Sequence, residues 1–344
     1  MLCFDYLPAY AGKNVQVRRI TCGYIYTYGK EGERLSSKYQ YGGQAVIEGV
    51  MMRGRYNYAV AVRKSTGDLV INNQPLGSYT KKLSFLRWPF IRGIIALGES
   101  FALGLKALQF SANQFMEEED EGELTPWEMT VMITLALGLT VLLFIVLPLL
   151  VRGAITPYLP GLFWRNLVEG LIRAVILVAY ISLVSLMKDI KRVFMYHGAE
   201  HKTIHTYEAG EELTVENARG KSTLHPRCGT SFLLFVVITS AIVFSFLGEQ
   251  TLIARFSSRL ILLPVVAGIS YEIIKFAGKN QSVFLWKWLS WPGLMLQKLT
   301  TREPDDSQLQ VAIAALQEVL AIEKEKAPIP VRQLKSGQNL PVNE

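Results

Sequence analysis

The sequence is poor in cysteine and in charge. Its three cysteines, Cys3, Cys22 and Cys228, are odd in number and widely spaced, which excludes a disulfide framework and fits a reducing compartment. Only 19% of the residues are charged, whereas 50% are hydrophobic, so a pair of soluble domains is excluded although the length would allow two. The N-terminal segment lacks the apolar stretch of a signal peptide, and we expect no cleaved leader.

Long apolar runs decide the class, because a helix needs roughly 20 apolar residues to cross the hydrocarbon layer. The four candidate spans are 129–151, 166–187, 228–248 and 260–276. The second contains Glu169 and Arg173, an i,i+4 pair that can neutralise each other, and the fourth contains Glu272 and Lys275 near one end. The sequence predicts a mainly α-helical, polytopic membrane bundle with about four transmembrane helices and a small β-containing N-terminal cytoplasmic region.

Lysine and arginine are distributed unevenly between the connecting segments. They accumulate in 13–92 and in the 188–227 loop, whereas the 152–165 connection carries only Arg152 and Arg165. The positive-inside rule therefore predicts a multi-pass protein of the cell membrane with both termini and the 188–227 loop in the cytoplasm. We attribute the net charge of +7 to the basic segments that set this topology and that attract anionic lipids of the bilayer. The expected partners are that bilayer and another membrane protein, not nucleic acid.

Shorter patterns divide the rest of the chain. Tyr58–Arg63 and Leu69–Asn72 flank a turn-forming cluster and predict a hairpin, and Thr125–Glu128 reads as a capping box before the first span. The predicted organisation is a basic N-terminal extension (1–38), a β-rich cytoplasmic region (39–84), an amphipathic interfacial helix (85–113), an acidic linker (114–127), a first transmembrane pair (128–187), a cytoplasmic His-rich loop (188–230), a second transmembrane pair (231–277), interfacial and amphipathic helices (278–326) and a disordered tail (327–344).

All four histidines lie in one predicted cytoplasmic loop. They are His197, His201, His205 and His225. His197-x-x-Glu200-His201 matches the H-x-x-E-H arrangement of the inverted zincins. Residues i and i+4 share a helix face about 6 Å apart, so two imidazoles can close on one Zn²⁺. The glutamate between them can accept a proton from water.

The remaining ligands of such a site stay open at this stage. On a straight helix His197 and His205 lie about 12 Å apart, so the three helical histidines do not share one ion. One i,i+4 pair with His225 or Cys228 would leave a position for water; the alternatives are a hydrogen-bonded histidine pair and a buried thiol. We predict a divalent-metal site, with zinc preferred. Its candidate ligands are His197, His201, His205, His225 and Cys228, and its candidate general base is Glu200.

Four further patterns are Gly43-Gln-Ala-Val-Ile-Glu-Gly-Val-Met-Met-Arg-Gly54, Arg92-Gly93 with Glu99, His197-Gly-Ala-Glu-His201 and Leu224-His-Pro-Arg-Cys-Gly229. Together they resemble the motifs of the YqhQ family of bacterial membrane proteins. The resemblance covers roughly residues 40–300 and leaves 1–38 outside. It implies a polytopic membrane protein and a metal-dependent enzyme, without a substrate or reaction.

Two function classes follow from these patterns. The leading hypothesis is a metal-dependent hydrolase acting at the cytoplasmic face of the membrane. The alternative is a non-enzymatic assembly or scaffold factor with a structural metal site or none. Transport is disfavoured, because four spans with few interior charges offer little pathway.

Overall fold

The computed structural model describes residues 16–20, 41–76, 91–118, 125–279 and 284–326. The tail predicted as disordered and the centre of the acidic linker lie outside these ranges. The strands are β1 (Gln16–Ile20), β2 (Gly42–Val46), β3 (Gly49–Arg53), β4 (Asn57–Arg63) and β5 (Leu69–Pro75). The helices are α1 (Ile91–Glu118), α2 (Pro126–Val141), α3 (Leu147–Ile155), α4 (Gly161–Val184), α5 (Lys188–Glu208), α6 (Val215–Arg219), α7 (Gly229–Ser245), α8 (Leu252–Lys279), α9 (Phe284–Thr300) and α10 (Asp306–Lys326).

The strands form one antiparallel sheet between helices. Its order is β1-β5-β4-β3-β2, and the predicted hairpin is β4–β5. Strand β1 comes from the segment assigned to the N-terminal extension and pairs with β5. Because side chains alternate along a strand, one face packs on α5 and α10 through Met52, Ala59 and Ile71. The other face packs on α1 through Met51 and Val60.

Helix α10 closes the first of these two layers. Asp305 caps it, since its Oδ1 accepts the backbone N–H of Gln308 at 2.9 Å. Its apolar face, with Leu309, Ile313, Leu316 and Leu320 at helical spacing, is buried against the sheet and α5. The apolar periodicity of this helix therefore agrees with its packing face.

Among the described residues, three helical segments are long and apolar enough to cross a membrane. They are Pro126–Tyr158, Gly161–Val184 and Leu252–Phe276, and the apolar helix Gly229–Ser245 is shorter, with 17 residues. The first segment comprises α2, a π-helical turn (Leu142–Val146), α3 and a 3₁₀ turn (Thr156–Tyr158). The predicted Thr125–Glu128 capping box begins it. The outward faces carry exposed leucine and isoleucine side chains, as lipid-facing helices do. The count of four spans stays a prediction.

Helix α1 connects the sheet to the apolar bundle. Arg92 donates two hydrogen bonds to the Glu272 carboxylate of α8, at 2.7 and 2.6 Å. A Cβ on Gly93 would lie 3.3 Å from Gly268, so the two helices cross closely. Arg53 of the sheet lies 3.8 Å from Glu99 of α1. The segment predicted as amphipathic is thus packed against both the bundle and the sheet.

Candidate metal centre

The helical histidines lie where α5 meets the end of α9. A Cβ at Gly198 would stand 2.1 Å from the carbonyl oxygen of Arg302, so only glycine allows the chain after α9 to approach α5 this closely. Arg302 N–H donates to the carbonyl of Phe194 at 2.9 Å. The glycine of the H-G-A-E-H motif therefore serves the packing that brings a backbone carbonyl beside the first histidine.

His197, His201 and Cys228 converge on one point. One donor atom from each lies within 4.8 Å of the other two, and His197 Nε2 is 3.1 Å from Cys228 Sγ. Donor atoms around one tetrahedral zinc lie roughly 3.3–3.8 Å apart, given Zn–N near 2.0 Å and Zn–S near 2.3 Å. Small side-chain adjustments would bring the three atoms to that spacing.

Backbone carbonyls orient both imidazoles of this set. His197 Nδ1 lies 2.8 Å from the carbonyl oxygen of Thr300, and His201 Nδ1 lies 2.5 Å from that of Thr223. A carbonyl only accepts hydrogen bonds, so each Nδ1 carries the ring proton and each Nε2 presents its lone pair. A metal-binding histidine usually donates its other ring N–H to a carbonyl or carboxylate oxygen in this way. The donor set therefore fits a divalent ion.

Cys228 supplies the third donor from the start of α7. It is the N-cap residue of that helix, and its Sγ lies 3.1 Å from Thr230 Oγ1 and accepts the Thr230 N–H at 3.5 Å. The sequence left His225 and Cys228 as equal alternatives for the third ligand of the first histidine pair. The structure places Cys228 with that pair.

Glu200 is buried immediately beside this set. Its Oε2 lies 4.0 Å from His197 Nε2. Burial raises the pKa of its carboxyl, and a hydrogen bond from the Gly43 N–H opposes that rise. A Cβ at Gly43 would lie 2.9 Å from Glu200 Cγ, so the glycine of β2 makes room for the carboxylate. The glycine-rich motif and the histidine motif thus meet in space.

His205, Glu208 and His225 form a second group, also with donor atoms within 4.8 Å of one another. His205 Nε2 donates to the carbonyl of Leu224 at 2.9 Å. Glu208 was not predicted as a candidate ligand, although its i,i+3 spacing from His205 on the same helix face would have indicated it. The predicted ligands therefore separate into two neighbouring sets, with the rings of His201 and His225 5.5 Å apart.

The second group is already satisfied by its own hydrogen bonds and charges. His225 Nδ1 accepts the Arg227 N–H at 3.4 Å, and its Nε2 faces Glu208 at 3.5 Å. Burial opposes ionisation of Glu208, but hydrogen bonds from His225 and Arg227 outweigh it and lower the pKa to about 2. Burial lowers the pKa of His225 to about 4, against the hydrogen bond with Glu208. Because the cationic Arg227 already holds the Glu208 carboxylate, we favour the first group as the metal site.

Gln297 holds the loop that carries His225. Gln297 is fully buried; its Oε1 accepts the His225 N–H at 2.8 Å, and its Nε2 donates to the His225 carbonyl at 2.7 Å and to Ser231 Oγ at 2.9 Å. A lone glutamine 72 positions away gave no signal in the sequence. Its three bonds tie α9 to the start of α7, where Cys228 lies.

Comparison with known proteins agrees with the motifs. The family described as "Protein of unknown function (DUF1385)" matches residues 88–322. "Uncharacterized protein YqhQ" of Bacillus subtilis (strain 168) is 36% identical over 295 residues, covering 82% of this chain and 93% of that protein. No solved structure matches the chain. The chain therefore belongs to the DUF1385 family, which it shares with YqhQ.

Proposed function

We propose that the protein is a metal-dependent hydrolase whose ion, zinc by ligand chemistry, is held by His197, His201 and Cys228. The observation that carries the proposal is the convergence of these three donors with both imidazoles locked in the ligating tautomer by backbone carbonyls. Two histidines and one cysteine leave one tetrahedral position open, which distinguishes a catalytic zinc site from a closed structural one.

The residues around the ligands suit hydrolysis. A divalent ion at this point would supply Lewis acidity for the activation of water. Glu200 lies beside His197 without belonging to the converging set, so its carboxylate would be available to accept a proton from water. The Gly43 N–H holds one side of this carboxylate, so its orientation is fixed before substrate binds.

Removal of one ligand should empty the site. We expect the purified protein to carry about one zinc per chain and His201→Ala to carry almost none, because His201 is central to the donor set. Elemental analysis by mass spectrometry after purification in detergent measures the ratio, and size-exclusion chromatography checks that the variant is folded.

A matched variant tests whether the loss is specific. His205→Ala removes a histidine one turn further along α5 but belongs to the second group, so it should retain the ion. Full occupancy in His201→Ala would place the ligands elsewhere, and equal loss in both variants would contradict the separation into two groups.

A second candidate is an assembly or scaffold factor with a structural metal. The observation in its favour is that the ligands come from α5, which packs on the sheet, and from the start of α7 in the apolar bundle. An ion at this point would clamp the two parts together. The two functions differ in what they require of Glu200, because a structural site does not use a proton acceptor.

The charge distribution supports a cytoplasmic location for the site. We expect a reporter fused after Lys221 to show cytoplasmic activity and one inserted near Pro157 to show exterior activity, since positively charged loops stay inside. Alkaline phosphatase and green fluorescent protein fusions at the two positions measure this. The opposite pattern would place the histidines outside the cell and contradict the assignment.

A further inference from the structure

Three arginines and one glutamate are buried together inside the apolar bundle. They are Arg152 of α3, Glu169 and Arg173 of α4, and Arg259 of α8, and we call them the arginine cluster. Each side chain is 6% exposed or less. The cluster packs against Phe244 near the end of α7, whereas Cys228 caps the start of that helix. At 1.5 Å per residue the cluster and the metal centre are about 24 Å apart.

One carboxylate cannot balance the charge of this cluster. Arg173 donates to Glu169 Oε1, and Arg259 donates to Glu169 Oε2 at 2.6 Å. Arg152 Nε lies 3.5 Å from the same Oε2. Among the described residues, Glu169 is the carboxylate within 4 Å of these three guanidinium groups, so two of their positive charges stay uncompensated at the cluster. Burial of unbalanced charge is strongly unfavourable, and charged groups among transmembrane helices indicate a functional site by default.

Two of the arginines also have donors without acceptors. Within the described ranges, Arg152 Nε, Arg259 Nε and Arg259 Nη1 are buried and have no hydrogen-bond partner. Buried donors in native structures are almost always satisfied, and a charged donor that lacks its acceptor costs more than a neutral one. The unsatisfied atoms belong to the same groups that carry the excess charge. Both observations point to an anion.

The remaining contacts fix the guanidinium groups in place. Arg173 Nε donates to the carbonyl of Phe144 at 3.1 Å, and Phe144 lies in the π-helical turn of the first apolar segment. The Phe244 ring supports Arg173 and Arg259, with guanidinium carbons 5.2 and 5.4 Å from its centroid. Arg173 and Arg259 are therefore preorganised, and an incoming anion need not order them.

We propose that the arginine cluster binds a phosphate-bearing anion, either a lipid headgroup or free phosphate. The planar guanidinium fork matches phosphate oxygens, and a phosphate offers oxygens in several directions to donors on two different helices. Arg152 and Arg259 lie three and seven residues from the nearest ends of their helices, roughly 5–10 Å in depth. A headgroup phosphate would have to enter the bundle to this depth.

Thermal unfolding of the full-length, delipidated protein in detergent tests the proposal. Ligands that bind the folded state raise the unfolding midpoint in proportion to their concentration. We expect a concentration-dependent rise with phosphatidylglycerol or with inorganic phosphate. A rise with the lipid alone identifies a headgroup, and a rise with inorganic phosphate identifies free phosphate. No rise with either probe would overturn the proposal.

Arg152→Gln is the informative variant, because Arg152 Nε makes no hydrogen bond to Glu169. It should weaken binding of the active probe by at least about tenfold. Without ligand it should unfold no earlier than the wild type, since it removes uncompensated charge, whereas a purely structural arginine would lower the midpoint. Arg165→Gln, at an exposed pair with Glu249, is the control and should bind normally. Equal binding by wild type and Arg152→Gln would refute the site.

Discussion

A Glu200→Gln variant is expected to insert, fold and keep its zinc, yet to lose function by a factor of about 10²–10⁴, the range found when a general base is removed. Glutamine has the size of glutamate, and its Oε1 can still accept the Gly43 N–H that holds Glu200. It cannot accept a proton from water. Complementation of a strain that lacks the gene, with metal content and membrane level measured in parallel, gives the readout.

Glu216→Gln provides the matched control, because Glu216 lies exposed on α6. It should complement fully. Full complementation by Glu200→Gln would contradict catalysis and favour the scaffold function, whereas loss of metal in that variant would make Glu200 a ligand. A variant that keeps its metal but does not complement supports the hydrolase.

The helical parts of the molecule were predictable because their signals are local. Uncharged runs indicated the apolar helices, and the Thr125–Glu128 capping box marked where one of them begins. Leucines spaced at the helical repeat of 3.6 residues indicate the buried face of α10. The sheet was predicted only in part. Strands β2 and β3 contain Gly43 and Gly49 and are joined by a tight turn, so their sequence lacks the clear alternation of apolar and polar residues that identifies a strand.

The candidate site likewise has one part that the sequence predicts and one part that it does not. Helical spacing predicted that His197, Glu200 and His201 lie close together, because i,i+3 and i,i+4 neighbours share a helix face whatever the tertiary fold. The choice between Cys228 and His225 depended on the path of a loop, which Gln297 determines through three hydrogen bonds. Contacts of that kind join distant segments, and one sequence carries no trace of them.

The arginine cluster shows the same limit inside the bundle. The i,i+4 pair of Glu169 and Arg173 was expected to be neutral by itself, and the two side chains do form an ion pair. Arg152 was assigned to the 152–165 connection, and Arg259 lies just before the predicted span 260–276. The packing of α3, α4 and α8 places both arginines beside the Glu169 carboxylate. The neutral pair of Glu169 and Arg173 thereby becomes part of a positively charged cluster.

Glu169→Gln should therefore be among the most destabilising single substitutions in the bundle. It leaves three buried guanidinium groups with no counter-charge, and removal of one partner from a buried ion pair costs about 3–5 kcal/mol. Glu249→Gln is the control, since Glu249 pairs with Arg165 at 2.9 Å with its side chain 73% exposed, and exposed pairs contribute at most about 1 kcal/mol. Tryptophan fluorescence during heating measures both unfolding midpoints.

The same variant also links stability to the anion proposed for the cluster. Without Glu169 the site gains one further uncompensated positive charge, so the bound anion interacts with more positive charge and less negative charge. Saturating phosphatidylglycerol or inorganic phosphate, whichever binds the wild type, should raise the midpoint of Glu169→Gln by more than that of the wild type. Equal midpoints for Glu169→Gln and Glu249→Gln would show that the carboxylate does not hold the arginines. A large loss that the anion fails to reduce would show that Glu169 stabilises the bundle without an anion site beside it.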